Sequence, residues 1–193
     1  MLTDGDPARP RRMALTTFAP GTFLRPTQRG MATSWASVPT SDSTQEWIRR
    51  NQVASEHAEG KEELLLELTS KNTTRSVKDF SPEGIRLESN LEGESKGVYN
   101  AAFYATITML VKPDRTIDYE VRQIHTTSDG DTVLVYYKGT SIIESPTHNK
   151  FVGETTFQTA SKKLAWLNGI KARHEGEYNP VAGENDFRVY GKR

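Results

Sequence analysis

The chain has 193 residues, no cysteine, and 25 basic against 25 acidic side chains, for a formal charge of zero. Without cysteine there are no disulfides, thiolate nucleophiles or zinc–cysteine sites, and the redox compartment stays open. The charge balance speaks against nucleic-acid binding, and no apolar run approaches the ~20 residues that span a bilayer as a helix. The reading is therefore a cytoplasmic protein with one domain over 43–193 and an extension over 1–42.

The extension holds Arg9, Arg11, Arg12, Arg25 and Arg29 among Pro, Ser, Thr, Gly and Ala, and the first lysine is Lys61. An organelle transit peptide is one reading. Asp4, Asp6 and four prolines (Pro7, Pro10, Pro20, Pro26) weigh toward a disordered extension, or toward a start at Met13 or Met31. Ser43-Thr44-Gln45-Glu46 reads as a capping box opening a short helix that runs to about Ala58 and ends at Gly60.

Strand patterns follow. Glu62 to Ser70 suits helix or strand, and its shortness and the strands after it assign it to strand. Val77 to Phe80 turns at Ser81-Pro82 into Ile85 to Glu88, and Gly93 and Gly97 bracket a loop or hairpin. In Val98 to Val111, Phe103, Ala105, Ile107, Met109 and Val111 share a face. Lys112 to Arg115 is a turn with Pro113 setting its φ. In Thr116 to Thr127 one face carries Ile117, Tyr119, Val121, Gln123 and His125. Ser128-Asp129-Gly130 turns the chain again, and Val133, Val135 and Tyr137 continue the apolar face. Ser145 to Asn149 reads as a loop.

Thr155 to Thr159 is β-branched and aromatic, as strands are. Leu164 to Leu167 reads as a strand because Asn168-Gly169 is the preferred pair for a type I′ hairpin turn. From Ile170 to Tyr178, charged residues alternate with Ile170, Ala172, His174 and Gly176, a period of two. Phe187 to Tyr190 is a closing strand. About eight antiparallel strands with regular turns predict a single closed β-barrel, since closure removes exposed edges.

The segment GETTFQTASKKLAWLNG, preceded by PDRTIDYE and TTSDGDTVLVYYKGT, resembles a family of uncharacterised bacterial and archaeal proteins. That family is similar to calycin-like barrels of the allene oxide cyclase type. The resemblance covers roughly Gly84 to Tyr190 and rests on turn and packing residues, so it implies a fold and transfers no catalytic signature. Where the family pattern has Asp-Gly, this chain has Asp114-Arg115, which weakens the expected turn.

Candidate site residues are polar groups in phase with apolar ones: Tyr119, Gln123, His125, Tyr137 and His174. Trp166 joins them as a wall residue with Phe103, Val121, Val135 and Phe157. An eight-stranded barrel encloses either packed side chains or one small ligand. The expected function is binding of a small hydrophobic molecule in an apolar lumen. The alternative, implied by the resemblance, is a cofactor-free isomerase or cyclase with His125 or Tyr137 as acid, base or hydrogen-bond donor. A third reading is a fully packed structural barrel, alone or as a homo-oligomer. His57, His125, His148 and His174 fall on different elements, so neither a metal site nor a cofactor is expected.

Overall fold

The computed structural model of the chain describes residues 62–192. Eight antiparallel strands close into a barrel in sequence order. They are β1 (Glu63–Ser81), β2 (Gly84–Gly97), β3 (Ala101–Val111), β4 (Thr116–Thr127), β5 (Thr132–Ser145), β6 (His148–Thr159), β7 (Ala172–Asn179) and β8 (Glu184–Gly191). β1 pairs with both β2 and β8, which seals the sheet. The helix expected at Ser43 to Ala58, and the extension before it, lie outside the described residues.

The alternation read from the sequence holds in β3, β4 and β5. Phe103, Ala105, Tyr119, Val121, Gln123, His125, Val133, Val135 and Tyr137 are all buried inside. The weakened turn at Asp114-Arg115 is rescued locally. Arg115 takes a positive φ of 69° where glycine is usual. The Asp114 carboxylate accepts hydrogen bonds from the Thr116 backbone N–H (3.0 Å) and hydroxyl (2.6 Å). The Arg115 guanidinium then donates to the carbonyls of Ile143 and Glu144, tying this turn to the end of β5.

Three expectations need correction. Leu164 to Gly169 is not a strand ending in a type I′ turn: Ala165–Gly169 is a 3₁₀ helix. Gly169 lacks the positive φ that such a turn requires. The Asn168 amide is occupied instead, accepting from the Thr159 N–H (2.7 Å) and donating to the Thr159 carbonyl (3.0 Å). Residues three apart eclipse on a 3₁₀ turn, so Leu164 and Leu167 both reach the core. Gly93 does not border a loop but lies within β2, where a Cβ would come 2.7 Å from the Phe103 ring. His148 and Asn149 belong to β6, and the turn before it is confined to Pro146-Thr147.

The two ends of the barrel differ. At one, the segment between β6 and β7 packs its leucines into the core. Ser161 donates to Asp131 (2.8 Å), and Lys163 is paired with Asp129 in the β4–β5 turn. At the other, β8 accompanies β1 only to Lys71, while β2 accompanies it to Ser81. The β1–β2 hairpin therefore runs past the seam. Two register shifts place Val77 opposite Leu87 and Phe80 opposite Ile85, and these lie opposite Met109 and Val111. Opposed residues share a face, so the inner apolar wall continues outside the barrel. There Val77 and Phe80 are 56% and 72% exposed.

Candidate functional site

The barrel contains a cavity of about 80 Å³ in the half remote from the 3₁₀ segment. Its apolar wall is Leu91, Ile107, Met109, Ile117, Val121, Phe151 and Phe187; Tyr119, Gln123, Tyr137 and His174 also face it. Toward the mouth lies a polar belt. Asn149, Tyr178, Asn185 and Ser70 stand opposite one another in turn across β6, β7, β8 and β1. Asn185 donates to the Ser70 hydroxyl (3.2 Å), and the Asn72 amide donates to the Tyr178 hydroxyl (3.0 Å).

His174 lies 2.6 Å through Nε2 from the Tyr119 hydroxyl and 3.0 Å through Nδ1 from the Thr155 hydroxyl. A neutral imidazole has one donor and one acceptor nitrogen, so either tautomer leaves both paired. Two glycines make this approach possible. Gly139 and Gly153 face each other across β5 and β6, opposite Tyr119 and His174 respectively. A Cβ on Gly139 would lie 2.6 Å from the Tyr119 hydroxyl, and one on Gly153 would lie 2.7 Å from the His174 ring.

His125 belongs to a separate network. Its Nε2 donates to Gln123 Oε1 (2.7 Å), which fixes the tautomer, and its Nδ1 accepts from the Tyr99 hydroxyl (3.2 Å). Its ring stacks on Phe103 with centroids 4.9 Å apart. Burial pushes both histidines down to about 3, opposed at His174 by a backbone hydrogen bond at Glu154. Burial likewise pushes the Tyr99, Tyr119 and Tyr137 hydroxyls above the usual tyrosine range.

Tyr137 packs edge-on against His174 (5.0 Å) and Phe187 (5.7 Å). Its hydroxyl is buried without a hydrogen-bond partner. The same holds for Oδ1 of Asn72 and of Asn149. All three residues line the cavity.

Of the residues singled out from the sequence, Tyr119, Gln123, Tyr137 and His174 thus come together around the cavity. His125 is walled off behind Gln123. Trp166 sits on the 3₁₀ helix, packed against the core and away from the cavity lining. Sequence reading missed Tyr99, Thr155, Gly139, Gly153, Asn72 and Asn149. Extending the period of two backward along β6 from Phe157 reaches Thr155, Gly153, Phe151 and Asn149. No such signal reaches Asn72, because the register shift beside it breaks the phase. Among the described residues no cluster of three or more His, Asp or Glu side chains could hold a metal ion.

These features define a small closed antiparallel β-barrel with an internal cavity, part apolar and part polar. No family model and no curated protein matches the chain. Several solved structures share its fold. One is a protein of unknown function from Clostridium acetobutylicum ATCC 824, with TM-score 0.63 and 16% identity over 69% of this chain and 100% of that one. A β-barrel-like protein from Acinetobacter baumannii AYE gives 0.61 and 17% over 70% of this chain and 98% of that one. A structure described as an enzyme from Penicillium herquei gives 0.51 and 21% over 67% and 93%. At these identities the likeness is one of fold alone.

Proposed function

We propose that the barrel binds a small, mostly apolar molecule bearing an oxygen acceptor, held by the Tyr137 hydroxyl. The observation that carries this reading is that hydroxyl, buried and unpaired on a residue that lines a cavity part apolar and part polar. A buried polar group without a partner costs about 1–3 kcal/mol, and an acceptor on a ligand removes that cost. Size narrows the ligand. An apolar cavity of about 150 Å³ holds benzene, so 80 Å³ takes only a few non-hydrogen atoms. The rest of the molecule lies in the mouth, against the face continued by Met109, Leu87, Val77 and Phe80.

The alternative of a cofactor-free isomerase or cyclase of the allene oxide cyclase type uses the same dry lumen, with Tyr137 as hydrogen-bond donor. General acid–base catalysts work best with pKa values near the working pH. Histidines held near 3 do not meet that condition for proton transfer, while the Tyr137 hydroxyl, raised above its usual range, stays neutral and donates a hydrogen bond in either reading. His125, shut away from the cavity with both ring nitrogens paired, serves packing in this reading.

Native mass spectrometry of the full chain from its own host, with NMR of the His174 and Tyr137 rings during titration with short ketones, ethers and alcohols, tests the proposal. A co-purifying molecule, or ring shifts that saturate and weaken roughly threefold to tenfold in Tyr137→Phe, is the expected result. An empty protein whose rings respond to none of these probes overturns it.

A further inference from the structure

The belt at the mouth specifies the other end of the ligand. Asn149 is 3% exposed and Tyr137 2%, so each lies where water is largely excluded. At Asn72 the amide nitrogen is spent on Tyr178 and the carbonyl oxygen is unpaired, while at Asn149 the buried carbonyl oxygen is unpaired and the amide nitrogen has no partner within the barrel. A carbonyl oxygen only accepts hydrogen bonds. Both amides line the same cavity as Tyr137, Asn149 on β6 and Asn72 on β1, with β7 and β8 between them.

The charge around the mouth agrees. The open groove beside Ser70, Tyr178 and Asn185 is lined by Glu92, Glu94, Glu177, Glu184 and Asp186. Its basic lining residue, Lys71, is paired with Glu184 at 3.4 Å. His148, also in the lining, faces Glu144 and Glu177. An anion approaching the groove meets carboxylates first; the Arg75 guanidinium, 6.0 Å from the Tyr178 ring centroid, donates to the Pro180 carbonyl, and beyond it lie the unpaired Asn72 carbonyl oxygen and the Asn149 amide.

We infer that the molecule taken up carries a hydrogen-bond donor, a hydroxyl or an N–H, at the end left in the mouth, where Asn149 and Asn72 accept it, and is not a carboxylate. This rests on the lumen being a binding site and adds the chemistry of the ligand's outer end. Within the ligand, the acceptor bound by Tyr137 and the donor bound by the amides are separated by a short apolar spacer.

Three probes of one chain length separate the possibilities: hexan-2-one, 6-hydroxyhexan-2-one and 5-oxohexanoate. Each offers Tyr137 the same ketone and differs only at the far end. Titrated into the full-length protein with the His174 and Tyr137 rings followed by NMR, the hydroxyketone binds roughly threefold to tenfold tighter than the plain ketone. The oxo acid binds weakest. In Asn149→Leu the hydroxyketone loses its advantage while hexan-2-one still binds. Asn72→Leu, on the projecting hairpin, serves the same purpose if the first variant does not fold. An oxo acid that binds as tightly as the hydroxyketone overturns the inference and leaves the binding site standing. So does a hydroxyketone no better than hexan-2-one. If none of the three binds, the reading of the lumen as a site falls, and the inference falls with it.

Discussion

The two buried histidines make a controlled comparison inside one molecule. His125 and His174 are 0% and 2% exposed, both are pushed down to about 3, and both have each ring nitrogen paired. Their surroundings differ. His125 lies against Phe103 and Tyr99 in the half that Leu164 and Leu167 fill. His174 lies against Tyr137, on the wall of the cavity. A buried, doubly paired imidazole is thus used once for packing and once as a wall. A shifted pKa marks both alike and identifies neither as a site. What separates the halves is unpaired polar atoms. Among the described residues, four buried side-chain atoms lack a partner; three belong to cavity-lining residues, and the fourth, Ser95 Oγ, does not.

The largest expected effect is on stability against pH. An imidazole whose folded pKa is about 3 refuses a proton that the unfolded chain accepts below 6.5. Unfolding then takes up protons. Stability is full above about pH 6.5 and is lost as the pH falls toward 3, by about 1.4 kcal/mol per pH unit for each histidine. Urea unfolding between pH 6 and 5, above the carboxylate range, measures the sum, about 2–3 kcal/mol per unit if both rings stay neutral. A slope near half of that means one ring takes up a proton while folded. Following the two imidazole rings by NMR over the same range identifies which one, and so which half admits water.

Truncations of a few methylenes probe the same difference. Leu167→Ala removes a side chain with 0% exposure from the packed end and is expected to cost about 2–5 kcal/mol. Met109→Ala removes one that is half-buried and already borders free space. It is expected to cost roughly half as much or less, because little new cavity is made. Equal losses in thermal unfolding would show that the two halves are packed alike. Comparable with Leu167→Ala is Gly153→Ala, whose added methyl would lie 2.2 Å from the Lys138 carbonyl oxygen and 2.7 Å from both the Gly139 Cα and the His174 ring, so that backbone and ring must both shift at a cost of about 3 kcal/mol or more. Displaced His174 ring resonances are its signature.

Most of this barrel was legible because its strands alternate cleanly. In β4 the phase from Ile117 to His125 runs unbroken, and the inner face follows from one rule. Legibility fails where that rule is interrupted. The register shift at Asn72/Thr74 changes which side chains point inward, so neither Asn72 nor the projecting face of Val77 and Phe80 could be placed from spacing. At Asn168-Gly169 a strong local turn preference lost to tertiary bonds from Asn168 to Thr159. Trp166 was misplaced with it. The candidate site was half visible. Tyr119, Tyr137 and His174 announce themselves as polar groups in an apolar phase. That Tyr137 is unpaired while Tyr119 is paired depends on which residues meet across strands far apart in sequence.

That last distinction yields the smallest effect and the sharpest sign. Tyr119 and Tyr137 are both buried tyrosines on neighbouring strands, 7% and 2% exposed. Removing the Tyr119 hydroxyl strips a 2.6 Å partner from His174 and leaves a buried ring nitrogen unsatisfied. Tyr119→Phe is therefore expected to destabilise the free protein by about 1–3 kcal/mol. Removing the Tyr137 hydroxyl leaves nothing behind, because no group in the barrel depends on it. Tyr137→Phe relieves a desolvated hydroxyl and is expected to stabilise the free protein by about 1 kcal/mol. It does so while weakening the ketone probes. A protein that is stabler without a hydroxyl but binds worse without it retains that hydroxyl for something other than folding. If Tyr137→Phe instead costs as much as Tyr119→Phe, the Tyr137 hydroxyl is already satisfied in the free protein, and the case for a ligand acceptor at that position is lost.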